Sequence, residues 1–206
     1  MVSRNPAKKR RSRPNDIGPC RFEVGLASQP LIGSAPRGTE AGFEPVGLLA
    51  ELATAHQRGW QSRWTLGIGN LPFDLDLSPD AGQLEEFWVF LLELVDAQGG
   101  EWTLAGGDDN VTFDGQVYGP DVVLDFATDD ASGRFAGSVL PRKATVRLRA
   151  LICSGTAFFR SFLKEATRMD RGMKDRPDLL AFYEDLDQLE AAVADLPGTF
   201  LSKDDA

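Results

Sequence analysis

The chain has 206 residues, of which 42% are hydrophobic, 26% charged and 9% aromatic. This balance is typical of a protein with a hydrophobic core, and the length allows one domain or at most two small ones. The composition excludes a wholly disordered chain and a collagen-like fibre. It also excludes a disulfide scaffold, since only Cys20 and Cys153 are present. The low cysteine content also favours a reducing interior, so we expect a cytoplasmic location.

The charged side chains are segregated along the chain. Residues 1–14 carry six basic and no acidic side chains, whereas residues 64–133 carry fifteen acidic and no basic ones. The sign reverses in residues 134–176, with eleven basic against three acidic side chains, and residues 177–206 are acidic again. Two interpretations follow. The acidic and basic blocks pair across the surface of one fold, or residues 64–133 form a negative face that attracts a basic partner.

The N-terminal residues are rich in proline, arginine and asparagine and contain almost no apolar side chain. We therefore predict a disordered basic arm over residues 1–19, a single α+β domain over residues 20–200 and a flexible tail over residues 201–206. Such an arm either binds an acidic surface or nucleic acid, or simply keeps the protein in solution. No membrane span is predicted, because the most apolar run, residues 87–95, is far shorter than the roughly twenty residues that cross a bilayer.

Strands and helices are expected to alternate in the first half of the domain. An odd-even pattern predicts a strand over residues 20–27, and a loop rich in proline and glycine follows over residues 28–42. The next predicted elements are a helix over residues 45–58 and extended segments over residues 60–68 and 73–77.

The clearest predicted helix covers residues 79–98. Ser78 is a suitable N-cap, and the glycines at 99 and 100 would end the helix. One face carries apolar side chains at helical spacing, namely Leu84, Phe87, Trp88, Leu91, Leu92 and Val95. A face of this size must be buried, so we expect the helix to lie on a β-sheet.

Short strands dominate the second half of the sequence. They are predicted over residues 102–104, 111–113, 117–118, 122–126, 135–140 and 144–152. The short turns between them imply antiparallel pairing, and two helices, about 156–169 and 177–196, form a C-terminal pair. The predicted fold is therefore α+β, with an antiparallel sheet of about five to seven strands and helices packed mainly on one face.

Three motifs that could carry chemistry are incomplete. Residues 74–85 space their oxygen ligands as in an EF-hand calcium loop, but Pro79 occupies the position that needs glycine. Cys153 lies at a predicted strand–helix junction, but its spacing to Arg160 does not fit a cysteine phosphatase, and we interpret it as a buried thiol. His56, the only histidine, is interpreted as a surface residue near a helix end. We predict no catalytic residue, no metal site and no cofactor.

The preferred functional hypothesis is a non-catalytic intracellular interaction module, of the inhibitor or immunity type, that presents an acidic face to a basic protein partner. The predicted contact residues are Asp74, Asp76, Asp108, Asp109, Asp114, Asp129 and Asp130. The alternative is a divalent-metal-dependent phosphoryl-transfer or hydrolytic enzyme that uses Asp108 and Asp109 of a predicted hairpin turn. A third possibility is nucleic-acid binding through the arm and residues 134–176. The acidic body of the protein would repel the phosphate groups of a nucleic acid and so argues against this possibility.

Overall fold

The computed structural model describes residues 16–31, 47–69, 71–74, 80–106, 109–130 and 143–197. Within these ranges the side chains of residues 16–20, 71–74, 105–106, 109 and 128–130 are not described. The described elements, in chain order, are β1 (Asp16–Cys20), β2 (Phe22–Pro30), α1 (Leu48–Gly59), β3 (Trp60–Ile68), β4 (Leu71–Asp74), α2 (Ala81–Asp96), β5 (Gly99–Gly106), β6 (Asp109–Tyr118), β7 (Asp121–Asp130), β8 (Lys143–Arg147), α3 (Leu148–Met169), a 3-10 turn (Arg171–Met173) and α4 (Pro177–Ala192). The fold is α+β, as predicted.

The described strands form two sheets. In the five-stranded sheet, with the order β1-β8-β7-β6-β5, strands β5 to β8 pair antiparallel and β1 pairs parallel with β8. The three-stranded sheet is antiparallel, with the order β2-β3-β4. The predicted antiparallel pairing is confirmed for β5 to β8 and for β2 to β4, whereas the prediction of a single sheet is wrong. The chain leaves the first sheet after Cys20 and enters the second at Phe22, and a pairing change of this kind has no local sequence pattern.

The predicted strand over residues 144–152 is also wrong in its second half. Strand β8 ends at Arg147, and α3 begins at Leu148, eight residues before the helix start expected at about 156. Residue 148 belongs to both periodic patterns. It continues the alternation of Ala144 and Val146, and it opens a helical series of buried residues at Leu148, Leu151, Ile152 and Gly155.

The helix predicted over residues 79–98 corresponds to α2, but its N-cap is Asp80 and not Ser78. The Asp80 carboxylate accepts a hydrogen bond from the Gln83 backbone N–H at 2.9 Å. The buried apolar face is turned slightly from the predicted one, since Trp88, Leu92 and Val95 are only partly buried. The buried apolar residues of α2 are Leu84, Phe87, Phe90, Leu91 and Leu94.

Some predicted segments cannot be compared with the structure. Strand β1 begins at Asp16, so the last four residues of the predicted arm are strand, and residues 1–15 lie outside the described ranges. The same is true of most of the loop expected over residues 28–42, of the strand expected over residues 135–140, and of the tail from residue 201. Among the described helices, none is long and apolar enough to cross a lipid bilayer.

Trp64 on β3 joins the two sheets through one hydrophobic core. Its fully buried indole stacks on Phe158 of α3, with ring centroids 4.4 Å apart. It also meets Trp102 of β5 and Phe87 of α2, each at 5.5 Å. The indole N–H donates a hydrogen bond to Gln83 Oε1 at 3.1 Å, so the buried polar group has a partner.

One face of the five-stranded sheet is buried, and the described side chains of the opposite face are exposed or half-buried. We call this opposite face the open face. Helix α2 lies close against the buried face at Gly115, where a Cβ atom would come within 2.9 Å of Leu94 Cδ2. Because side chains alternate along a strand, the residues between the buried ones point to the opposite face, where they are exposed or half-buried. The buried residues of strands β5 to β8 include Trp102, Leu104, Val111, Phe113, Val122, Leu124, Ala144 and Val146.

Candidate functional site

The open face of the five-stranded sheet carries a row of carboxylates across three adjacent strands. Glu101 of β5 is directly opposite Asp114 of β6, and Asp114 is directly opposite Asp125 of β7. All three residues are exposed. Neighbouring strands are about 4.8 Å apart, so three negative charges lie within about 10 Å. We call these three residues the carboxylate row. Like charges directly opposite one another destabilise a sheet, so the row lowers the stability of the fold.

The row ends at β8, where two basic side chains pair with β7. Lys143 is opposite Asp125, and its Nζ donates to Asp125 Oδ2 at 2.9 Å. Arg147 is opposite Asp121, and its Nη1 donates to Asp121 Oδ1 at 2.8 Å. Both basic residues belong to the block 134–176. The acidic and basic blocks therefore meet at this edge, as the first interpretation of the charge pattern expected.

The pairing does not extend to the other two members of the row. Within the described part of the chain, neither Glu101 nor Asp114 forms an ion pair. Asp114 Oδ1 accepts a hydrogen bond only from the neutral amide of Gln116, at 3.2 Å. Exposed carboxylates on α2, Glu85 and Glu86, add further negative charge to the molecule. Among the described residues, Glu101 and Asp114 are therefore not compensated by a cation, and the second interpretation stays a prediction.

The structure brings four of the seven predicted contact residues onto the neighbouring strands β6 and β7. They are Asp109, Asp114, Asp129 and Asp130. Asp109 is opposite Asp130 in the ladder, and Asp129 is opposite Asn110. Asp74 is instead in β4 of the three-stranded sheet, opposite Thr65, and does not share a sheet with the others. Asp76 and Asp108 lie outside the described residues.

The metal alternative depends on side chains that the structure does not describe. Asp108 is outside the described residues, and only the backbone of Asp109 is described. Among the side chains that are described, no group of three or more histidine, cysteine, aspartate or glutamate residues is placed to hold a metal ion. The hypothesis of a metal-dependent enzyme therefore stays a prediction.

The interpretation of His56 as a surface residue is wrong. Its side chain is 1% exposed, on the inner face of α1, and the imidazole packs on the Phe162 ring at a centroid distance of 4.9 Å. Its Nε2 atom lies 2.9 Å from Glu165 Oε2 of α3 and 3.4 Å from Ser62 Oγ of β3. The sequence holds a signal for this burial, because His56 follows the buried residues Leu49, Leu52 and Ala53 at spacings of seven, four and three.

A chain of hydrogen bonds connects His56 with three residues from other elements. Ser62 Oγ donates to Ser28 Oγ of β2 at 2.9 Å, and Ser28 Oγ donates to Glu165 Oε2 at 2.9 Å. Because Glu165 Oε2 is an acceptor, Nε2 of His56 carries the proton in the neutral ring. We call these four residues the His56 cluster. Burial lowers the pKa of His56 from 6.5, although Glu165 acts in the opposite direction.

The His56 cluster does not have the geometry of a catalytic triad. In a triad the hydroxyl and the carboxylate contact opposite nitrogens of the imidazole, so that the ring accepts the hydroxyl proton while the carboxylate holds the ring in position. Here Ser62 and Glu165 both approach Nε2, which already carries a proton. The cluster is therefore a polar junction between β2, β3, α1 and α3, and it gives no support to a nucleophilic mechanism.

The interpretation of Cys153 as a buried thiol is wrong as well. The residue is exposed, in the second turn of α3. Because α3 begins at Leu148 and not near residue 156, the backbone N–H groups after Cys153 belong to the interior of a helix. They do not form the free N-terminal amides that bind an anion or activate a thiol.

Comparisons of this chain with protein families, with curated proteins and with solved structures find no match. Fold analogy would in any case be a weak guide, since one fold hosts many functions. The function is therefore argued from the charges and contacts of the site.

Proposed function

We propose that the protein is a non-catalytic intracellular interaction module, of the inhibitor or immunity type, whose carboxylate row binds a basic protein partner. The observation that carries this proposal is the exposed, directly opposed pair Glu101 and Asp114, which forms no ion pair with the described residues. A partner with lysine or arginine side chains relieves the repulsion between these carboxylates. The association therefore gains energy that the isolated protein lacks.

The position of the row favours binding with little rearrangement. Strand β6 lies in the interior of the sheet, hydrogen-bonded to β5 on one side and β7 on the other, and α2 packs beneath it. A site on a rigid element loses little conformational entropy when a partner binds. This is the behaviour we expect of an inhibitor or immunity protein, which must bind its target tightly without being ordered by it.

The basic residues of β8 favour one orientation of the partner. Lys143 and Arg147 form ion pairs with Asp125 and Asp121 of β7, and their positive charges repel other cations from that side of the sheet. Basic groups are therefore attracted toward β5 and β6. Only the backbone positions of Asp109, Asp129 and Asp130 are described, so these residues stay further contacts predicted from the sequence. Asp74, Asp76 and Asp108 stay predictions from the sequence.

Binding of a labelled oligoarginine peptide, followed by fluorescence anisotropy, tests this proposal. The test variant combines Glu101→Gln with Asp114→Asn. The matched control combines Glu184→Gln with Asp185→Asn, which removes two exposed charges from α4. If each lost contact is worth roughly 0.2–1 kcal/mol, the test variant should bind roughly 2- to 30-fold more weakly.

The control variant should bind like the unmodified protein at low salt, and all affinities should fall as salt rises. Equal weakening by both variants would contradict the proposal, because net charge and not the carboxylate row would then determine binding. Binding that does not change with salt would contradict it too. In a second step, proteins captured from a lysate by the unmodified chain but not by the test variant would identify the partner.

A further inference from the structure

The C-terminal end of α1 lies where four elements meet. His56 of α1, Ser62 of β3, Ser28 of β2 and Glu165 of α3 form the hydrogen-bonded His56 cluster. We propose that this cluster is a proton-operated latch, which holds the end of α1 against α3 and the three-stranded sheet at neutral pH and releases it on acidification. The latch is separate from the carboxylate row, which lies on the five-stranded sheet.

The junction around His56 is packed tightly. A Cβ atom on Gly59 would collide with the Met169 side chain, so the end of α1 is in close contact with the end of α3. The Leu31 N–H donates to the Gly59 carbonyl at 3.0 Å, which fastens the end of β2 to the same place. These contacts bring the ends of α1, α3 and β2 together at one place.

Burial of the imidazole favours its neutral form, whereas Glu165 favours the protonated form. The rings of Phe162 and Trp60 lie near the imidazole, with centroid distances of 4.9 Å and 6.4 Å. Ser28 and Ser62 are neutral, and within the described residues Glu165 is the titratable group that contacts the ring. An imidazolium ion carries a second N–H donor and a full positive charge, both of which need hydration or an acceptor. Opening the junction supplies water to the ring.

Whether acid opens or closes the junction depends on which of the two states binds the proton on His56 more tightly. Burial lowers the pKa of His56 in the closed junction below 6.5, the value in an open chain. The open state therefore binds the proton more tightly than the closed state does. Above about pH 6.5 the closed state has its full stability, and as the pH falls toward the lowered pKa the opening equilibrium rises by up to about tenfold per pH unit.

Amide hydrogen exchange on the full chain tests the latch. Exchange is measured between about pH 7.5 and pH 5.5 and corrected for the intrinsic pH dependence of the amides. We expect the opening equilibrium to rise with acidity at the Leu31 amide and in the last turn of α1, while the amides of β6 keep their protection. Since the chain has one histidine, its imidazole NMR signal reports the protonation of His56 directly.

Two variants make the test specific. His56→Gln keeps an N–H donor for Glu165 but cannot titrate, so junction protection should become independent of pH. Glu165→Gln removes the charge that favours the imidazolium and should lower the pKa of His56 further. It serves as the second test if His56→Gln does not fold.

Three results would overturn the latch. One is a junction whose corrected exchange does not depend on pH in the unmodified protein. Another is an equal loss of protection in β6, which would indicate global unfolding and not local release. The third is a pKa of His56 in the folded, unmodified protein that is not below 6.5.

Discussion

The carboxylate row and the His56 cluster treat charge in opposite ways. In the row, Glu101 and Asp114 face each other in water with no cation beside them among the described residues. In the cluster, Glu165 Oε2 contacts His56 Nε2 and the Ser28 hydroxyl, and burial lowers the pKa of His56. We expect the first arrangement to weaken the fold and the second to strengthen it. Removing a carboxylate should therefore have opposite effects on stability at the two places.

The largest effect is expected from Glu165→Ala. This change leaves the His56 Nε2–H and the Ser28 hydroxyl without their acceptor in a largely buried junction. An unsatisfied buried donor costs about 1–3 kcal/mol, so the free energy of unfolding should fall by roughly 2–4 kcal/mol. Urea unfolding at neutral pH measures the change, and Glu101→Ala on the exposed row is the matched control. A loss no larger than that of the control would show that the His56 cluster contributes little to stability.

A smaller effect is expected from pH. Because the pKa of His56 is lower in the folded protein than its unfolded value of 6.5, the folded state binds fewer protons in this range. The contribution of His56 to the free energy of unfolding has its full value above about pH 6.5. As the pH decreases below this value, the free energy of unfolding should fall by at most about 1.4 kcal/mol per pH unit. Urea midpoints between about pH 7.5 and pH 5.5 measure this slope. The His56→Gln variant should have a flat profile, and a sloping profile in that variant would assign the effect to other groups.

Much of the local structure of both regions can be predicted from the sequence. Alternation accounts for the exposure of Asp114 and Asp125, since each follows a buried apolar residue, Phe113 or Leu124, although Glu101 and Asp125 are not among the predicted contact residues. The buried face of α2 follows from helical spacing in the same way. Each of these predictions depends on residues that are close in the sequence, and short-range periodicity is the signal that a single sequence carries best.

What depends on distant contacts could not be predicted. The parallel pairing of β1 with β8 joins segments more than a hundred residues apart, and Ser28 meets Glu165 across 137 residues. The place of His56 near a helix end favours a surface position, because a positive charge is stabilised there, whereas its spacing from Leu49 and Leu52 indicates burial.

The smallest expected effect distinguishes unpaired from paired carboxylates on the open face of the sheet. Asp114→Asn removes a charge that opposes those of Glu101 and Asp125, so it should raise the free energy of unfolding by about 0.2–1 kcal/mol. Asp121→Asn, on the same face, removes the partner of Arg147 and should lower it by a similar amount. Both changes delete one negative charge, so net charge cannot account for a difference in sign.

Urea unfolding at low salt measures the stability of the two variants. The stabilisation by Asp114→Asn should shrink at about 1 M salt, where the repulsion between the carboxylates is screened. If both variants moved in the same direction, the carboxylate row would not be under electrostatic strain, and the reason for a basic partner to bind there would be lost.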